Sequence, residues 1–223
     1  MDALRRKSRT ENAYDLLKTQ ILQNVMSPGR VETEPEIALR LGMSRTPVRE
    51  ALVRLENEGL LRLVPRRGVQ VLSVSPDDMR DIYQLLTILE PEAAMAVARM
   101  APDPAVLAPL QESIEQMAQA LEDDDLDAWA EADDRFHREL LSLNPNRRLT
   151  GFVTTLFDQA HRARLITLRL RERPWRSTDD HRQILDAIAR GDVEATRQLF
   201  RAHRERAANE LLALLERARL SLL

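Results

Sequence analysis

Four histidines occur in the 223 residues, and three of them stand where they could share an ion with a carboxylate. Asp133 and His137 lie four residues apart in DDRFH. On a helix that spacing puts both side chains on one face, where they can grip one ion. His181 lies in DDHRQILDAI and His203 in LFRAHRERA. Each has apolar neighbours: Phe136 and Leu140, Ile184 and Leu185, Leu199 and Phe200. All three imidazoles can therefore face the interior of one helical bundle. Three neutral imidazoles and one carboxylate suit a divalent ion, Zn²⁺ first, with Ni²⁺ and Mn²⁺ as alternatives. The plainer alternative stays open, because Asp-x-x-x-His arises by chance and a lone histidine reads as a core or surface residue. Asp134, three residues from His137, is the neighbour most easily mistaken for a ligand, and His161 falls outside the pattern.

The second chemistry belongs to arginine. In SRTPVREALVRLENEGL, residues 44–60, one helical face carries Val48, Ala51, Leu52 and Leu55, and the other carries Arg45, Thr46, Arg49 and Arg54. Arg45 and Arg49 are one turn apart and project from the same side. A guanidinium can bind guanine through two hydrogen bonds or clamp a phosphate. The Ser44 and Thr46 hydroxyls and the first amides of the helix can hold a backbone phosphate. Arg66 and Arg67, in Pro65-Arg66-Arg67-Gly68, could reach an adjacent groove or the backbone. The competing reading is a solvated arginine face, and it is preferred for Arg54 and Arg62.

These side chains need elements to hold them. The spacing predicts a helix over Thr10–Asn24, with Thr10 as its N-cap, broken by Ser27-Pro28-Gly29. A second helix is expected over Pro35–Leu41, stopped by Gly42, and a third from a Ser44 cap to about Glu58. Residues 60–73 switch to alternation around Pro65–Gly68, the pattern of a two-stranded hairpin with a basic tip. Three helices and a wing make residues 8–74 a winged helix-turn-helix. After the linker Ser73–Pro76, helices are expected at 77–100, 103–122, 126–143, 146–171, 177–190 and 192–219. No strand or internal repeat is expected there. The fold class is thus mainly α, with a C-terminal all-helical bundle over 77–219.

Composition agrees and excludes several classes. Hydrophobic residues make up 43% and aromatics only 4%, so the cores rest on Leu, Ala, Val and Ile. No stretch approaches the roughly 20 apolar residues of a membrane span. The start, MDALRRKSRTEN, has basic residues with no apolar run behind them, unlike a secretory signal. With no cysteine there is no disulfide framework or thiolate metal site. A cytoplasmic protein is expected. Residues 1–76 carry 13 Lys+Arg against 9 Asp+Glu, and the remainder 20 against 27. A basic head on an acidic body suits a head that meets a polyanion.

SRTPVREALVRLENEGLL followed by PRRGVQV resembles the GntR family of bacterial regulators, over roughly residues 10–74. The resemblance implies a DNA-binding dimer in which Arg45, Thr46, Arg49 and the wing around Gly68 contact an operator. The family commonly has Glu-x-x-Leu-Ala in its second helix, whereas this chain reads Pro35-Glu36-Ile37-Ala38-Leu39 after Glu34. DNA contacts are therefore not carried over to that helix, Arg40 included. EADDRFHREL, LNPNRRL and DHRQILDAIARGDVEATRQLFRAH look like the effector domain called FCD, of the FadR-like branch, over roughly residues 78–215. Many such domains hold a divalent metal with one Asp and three His, which map onto Asp133, His137, His181 and His203. There the metal and nearby polar groups bind a small carboxylate. Asn146, in the motif's Asn-x-x-Leu, reads equally as a ligand donor or a helix cap. Of Arg162 and Arg164, one could pair with a carboxylate, and a solvent-facing position is expected for at least one. Where relatives often carry an arginine before the Leu89-Glu90 pair, this chain has Leu86, which implies a less anionic or more apolar ligand.

The expected function is a sequence-specific transcription regulator and not an enzyme. A homodimer would grip a near-palindromic double-stranded operator and act as a repressor relieved by a small carboxylate metabolite. One alternative is a metal-responsive regulator in which the ion is the signal. Another is a metal-dependent hydrolase, although no general base stands beside the candidate ligands in a recognisable motif.

Overall fold

The computed structural model describes residues 7–217, which form two compact units dividing between Ser75 and Pro76. The reading of the first six residues as unlike a secretory signal, and the extension of the last helix to residue 219, lie outside the described residues.

The first unit runs α1 (Arg9–Leu22), β1 (Val31–Glu32), α2 (Glu34–Leu41), α3 (Arg45–Asn57), β2 (Leu61–Val64) and β3 (Gly68–Val71). Its first cap is Ser8 rather than Thr10. The Ser8 hydroxyl accepts from the Glu11 amide at 3.1 Å, and the Glu11 carboxylate accepts from the Ser8 amide at 2.6 Å. Two amides that the helix leaves orphaned are satisfied together. Thr10 instead donates to Glu50 of α3 at 2.7 Å. Thr33 and Glu36 repeat the reciprocal cap on α2, and Gly42 ends that helix in the left-handed conformation. Ala13, Leu17, Ile21, Ile37, Val48 and Leu52 bury the facing sides of the three helices, and Leu61, Val69 and Val71 close the core from the sheet.

The hairpin forms as expected, with Leu61 opposite Val71 and Val64 opposite Gly68. A third strand, β1, pairs antiparallel with β3, giving the order β1-β3-β2. Two residues are too short to show any period, so pattern could not reveal it. Gly68 belongs to this arrangement. Its φ is +114°, and a Cβ there would run into the Glu32 carbonyl and lie 3.0 Å from the Thr33 Cα. Only glycine lets the two backbones approach.

The second unit consists of α4 (Pro76–Arg99), α5 (Pro104–Glu122), α6 (Leu126–Ser142), α7 (Arg147–Leu168), α8 (Trp175–Ala189) and α9 (Val193–Arg217). Helix α7 stops three residues before the expected end, and α8 starts two residues early because Pro174 takes its N-cap position. Helix α4 packs along α9 and α5 along α6. Phe136 and Phe200 fill the core among Leu110, Ile114, Met117 and Trp129, while Ala94, Ala98 and Ala132 let the backbones come close. Among the described residues no helix is long and apolar enough to cross a membrane.

Candidate functional site

The exposed face of α3 is the first candidate. Burial of Pro47, Val48, Ala51, Leu52 and Leu55 fixes the helix's rotation, which leaves Arg45, Thr46 and Arg49 in solvent. Ser44 sits at the N-cap position, but its hydroxyl makes no capping bond and is open to an outside partner. Neither Arg45 nor Arg49 has an ion-pair partner among the described residues. Unpaired guanidiniums on a rigid helix suit a phosphate or a base edge. Arg66 and Arg67 are exposed at the wing tip, in a turn closed by the Arg67 amide on the Val64 carbonyl at 3.0 Å. Two further basic residues of this unit are engaged. Arg40 pairs with Glu32 at 2.9 Å and donates to Gln20. Arg54 stacks on the Tyr14 ring at 3.7 Å and meets Glu58 at 3.3 Å.

The second candidate lies inside the helical unit. Asp133, His137, His181 and His203 are each less than 5% exposed. One ring nitrogen from each histidine lies within 4.8 Å of the others. The His137 and His181 Nε2 atoms are 3.1 Å apart, and Asp133 Oδ1 is 3.9 and 3.6 Å from them. Imidazole nitrogens around a tetrahedral zinc ion stand about 3.3 Å apart, given ordinary zinc–nitrogen bonds. The donor set therefore fits a divalent ion. Asp134 turns elsewhere, to Arg138 at 2.6 Å and His161 at 3.6 Å.

Electrostatics prepares the same atoms. Burial, then the Arg204 charge, pushes His137 well below its ordinary value. Burial, with His203 adding to it, brings His181 to about 3, and burial with Arg204 brings His203 to about 3. All three are neutral at pH 7, the form that binds a metal. Burial opposes charge on Asp133, but the Arg164 guanidinium, followed by the imidazoles, overrides it and holds the carboxyl well below the usual range.

This gives a pH dependence of definite sign. Unfolded imidazoles bind protons near 6.5, whereas folded His181 and His203 do so only near 3. Between these values the unfolded chain holds more protons, so stability falls as the solution is acidified. Each group lowers the folding equilibrium by up to about tenfold for every pH step of one across that window. In the presence of chelator, the urea midpoint is expected to decline steadily from pH 6.5 to pH 5, above the range of ordinary carboxylates. A flat profile there contradicts the assignment.

Other side chains hold these ligands, and sequence reasoning missed them. Asp180 Oδ2 is 3.1 Å from His203 Nδ1 and is itself bound by Arg206. A carboxylate at Nδ1 accepts that nitrogen's N–H and leaves the Nε2 lone pair for an ion. Glu90 Oε1 lies 3.2 Å from His137 Nδ1 and accepts from Arg204 Nη2 at 2.8 Å. The signal for Glu90 was its phase: it shares the buried stripe of α4 with Leu86, Ala93, Ala94 and Val97.

The remaining expected site residues divide. Asn146 caps α7, its side-chain oxygen accepting from the Arg148 and Leu149 amides at 3.1 and 3.2 Å. The expectation that Arg162 or Arg164 faces solvent is corrected: both are buried, because α7 packs against α4, α6 and α9 and has little free surface. Arg164 binds Asp133, and its Nη1 is buried without an acceptor. Leu86 is core, and the positive charge near the centre comes from Arg164 and Arg204 instead. That removes the reason to expect a less anionic ligand.

Comparison with known proteins gives two family matches. The model described as "Bacterial regulatory proteins, gntR family" matches residues 9–71, and the FCD domain matches residues 81–206. An HTH-type transcriptional regulator of Agrobacterium vitis, from the TAR-I ttuE-ttuC' intergenic region, is 43% identical over 143 residues, covering 63% of this chain and 84% of its own length. The HTH-type transcriptional repressor RspR of Escherichia coli is 26% identical, covering 86% of this chain and 84% of its own length. Among solved structures, E. coli McbR/YncC superposes with a TM-score of 0.79 at 25% identity, covering 96% of this chain and 100% of that one.

Proposed function

The chain belongs to the gntR family of bacterial regulatory proteins and carries an FCD domain, and from that premise we propose that it is a repressor released from DNA by a small carboxylate held at a divalent metal. The family and the relatives are DNA-binding transcription regulators, not enzymes, so the hydrolase reading is dropped. A homodimer presents two copies of α3 to successive major grooves of a near-palindromic operator. Ser44, Arg45, Thr46 and Arg49 meet the groove and its phosphates, and Arg66 and Arg67 meet the flanking backbone. Gly68 serves by shaping the wing. Repression is favoured because the relative RspR bears that name.

One observation carries the ligand reading: three buried imidazoles converge beside Arg164, whose Nη1 is buried with no acceptor. Glu90 and Asp133 balance Arg164 and Arg204 in formal charge, so a divalent ion would leave the centre positive. The metal supplies open coordination positions and charge for an anion, and Asp133, His137, His181 and His203 would hold it. Arg164 can donate to a carboxylate from Nη1. Ligand binding then changes DNA affinity through a coupling free energy.

The test is a fluorescence-anisotropy titration of full-length protein on DNA from upstream of its own gene, with zinc, with chelator, and with a panel of small carboxylates. Zinc-loaded protein is expected to bind tightly and to weaken by about tenfold or more with one carboxylate, only while zinc is present. Arg49→Ala is expected to cost about 1–3 kcal/mol of specific binding. Release by chelator alone, with no active carboxylate, makes the ion itself the signal. Binding without sequence preference sinks the reading altogether.

A further inference from the structure

A cavity of about 480 Å³ lies where the end of α7, the start of α8 and the later turns of α9 meet. Five arginines line it, Arg171, Arg173, Arg176, Arg206 and Arg217, against only two acids, Glu172 and Glu210. Arg173 is held by Asp124 at 2.5 Å, and Arg206 by Asp180. Arg171, Arg176 and Arg217 have no carboxylate partner among the described residues. The Arg171 Nε is buried without an acceptor. Burial lowers that guanidinium from its ordinary range, and the Asp133 and Glu210 charges offset that cost only in part.

The backbone adds to the imbalance. Helix α8 opens onto the cavity, and its N-cap is Pro174, which has no side-chain oxygen to cap the first amides. Arg176 and Ser177, in that first turn, both line the cavity. Orphaned amides and the positive end of a fifteen-residue helix thus face the same space as the unpaired arginines. A volume of this size admits a small metabolite.

We propose that this cavity is an oxyanion site separate from the histidine centre, taking a carboxylate or phosphate group, and that its occupant acts on the centre through Arg206 and Asp180. The connection is a short chain of contacts. Arg206 lines the cavity and binds Asp180, whose Oδ2 holds His203 Nδ1 at 3.1 Å. An oxyanion on Arg206 competes with Asp180 for the same guanidinium and so alters how firmly His203 is oriented. The site itself does not depend on a metal; only this coupling rests on the metal reading above.

Calorimetric titration of the full-length protein, zinc-loaded and EDTA-treated, tests both parts with inorganic phosphate, succinate and acetate as probes, and sodium chloride at matched ionic strength as reference. Phosphate or succinate is expected to bind one per chain in the EDTA-treated protein, any anion on the metal adding to this site when zinc is present, and about tenfold more weakly in Arg171→Gln/Arg176→Gln. Arg169→Gln, which breaks a surface pair with Asp127, should change nothing. If the first variant misfolds by circular dichroism, Arg176→Gln/Arg217→Gln, both exposed, replaces it. A preference for phosphate indicates a phosphorylated ligand, and a preference for succinate a polycarboxylate. Binding no better than chloride, or equal in the variants, overturns the site. Binding seen only with zinc also overturns it, because the anion then sits on the metal and the metal reading stands. If the wild type holds no zinc while phosphate still binds, the metal reading fails and the site survives. For the coupling, saturating anion should shift zinc affinity in a chelator-dye competition, and an unchanged affinity removes it.

Discussion

Arg204→Met is expected to destabilise the helical unit by about 3–5 kcal/mol, the cost of leaving a buried charge without its partner. Arg204 and Glu90 are 2% and 1% exposed, and Arg204 touches Glu90 through both Nη2 and Nε. Without the guanidinium, the Glu90 carboxylate remains in an interior that water does not reach. Domains are stable by only about 5–15 kcal/mol, so this loss is a large share of the total. Glu90→Met/Arg204→Met is expected to recover most of it, since a packed apolar pair replaces a buried ion pair at little cost. The recovery stops short of complete, because His137 Nδ1 loses both its polar neighbours, Arg204 Nη2 at 2.9 Å and Glu90 Oε1 at 3.2 Å, worth about 1–3 kcal/mol. Urea unfolding followed by tryptophan fluorescence reads this unit alone: both tryptophans, Trp129 and Trp175, lie in it. A single-variant cost below about 1 kcal/mol would mean that Glu90 is solvated, against the burial described.

His181→Ala should separate the two halves of the function. His181 is fully buried, and its Nε2 faces His137 Nε2 at 3.1 Å, so its loss removes a donor from the middle of the candidate set. Zinc affinity is expected to fall by at least about 100-fold, more than loss of an outer partner costs. The carboxylate response should vanish with it. Sequence-specific DNA binding should persist, because α3 and the wing keep their own core. Apo stability should fall by about 2–4 kcal/mol, because a fully buried ring packed on Phe136 at 4.5 Å leaves a cavity, so zinc binding is read on protein shown folded by circular dichroism. Arg49→Ala is the mirror image, losing operator binding and keeping zinc. Unaltered zinc binding in His181→Ala removes the histidine centre from the mechanism.

The readable parts of this chain are those governed by local periodicity. Residues 44–60 place Val48, Leu52 and Leu55 at helical spacing, and burying that face leaves Arg45 and Arg49 outside whatever the rest of the fold does. Alternation at Leu61, Leu63, Val69 and Val71 specifies the hairpin, and the four-residue step from Asp133 to His137 puts both on one helical face. Two-residue β1 escaped because it has no period to read. Ser8 displaced Thr10 as a cap because the choice depends on which side chain reaches the Glu11 amide, and the Thr10 hydroxyl is taken by Glu50, forty residues away.

Tertiary structure alone decided the surroundings of the centre. Glu90 and Arg204 are 114 positions apart and meet only because α4 lies along α9. Asp180 and Arg206 likewise come together only when α8 packs on α9. Asn146 has equal claims as donor and cap until its side chain is seen on the Arg148 and Leu149 amides. Arginine in a sequence argues for solvent, yet Arg162 and Arg164 are buried because three other helices cover α7. Spacing along one helix can place a ligand, since neighbours three or four apart share a face. A charge is balanced or left unbalanced by groups from several helices, and no single segment contains that information.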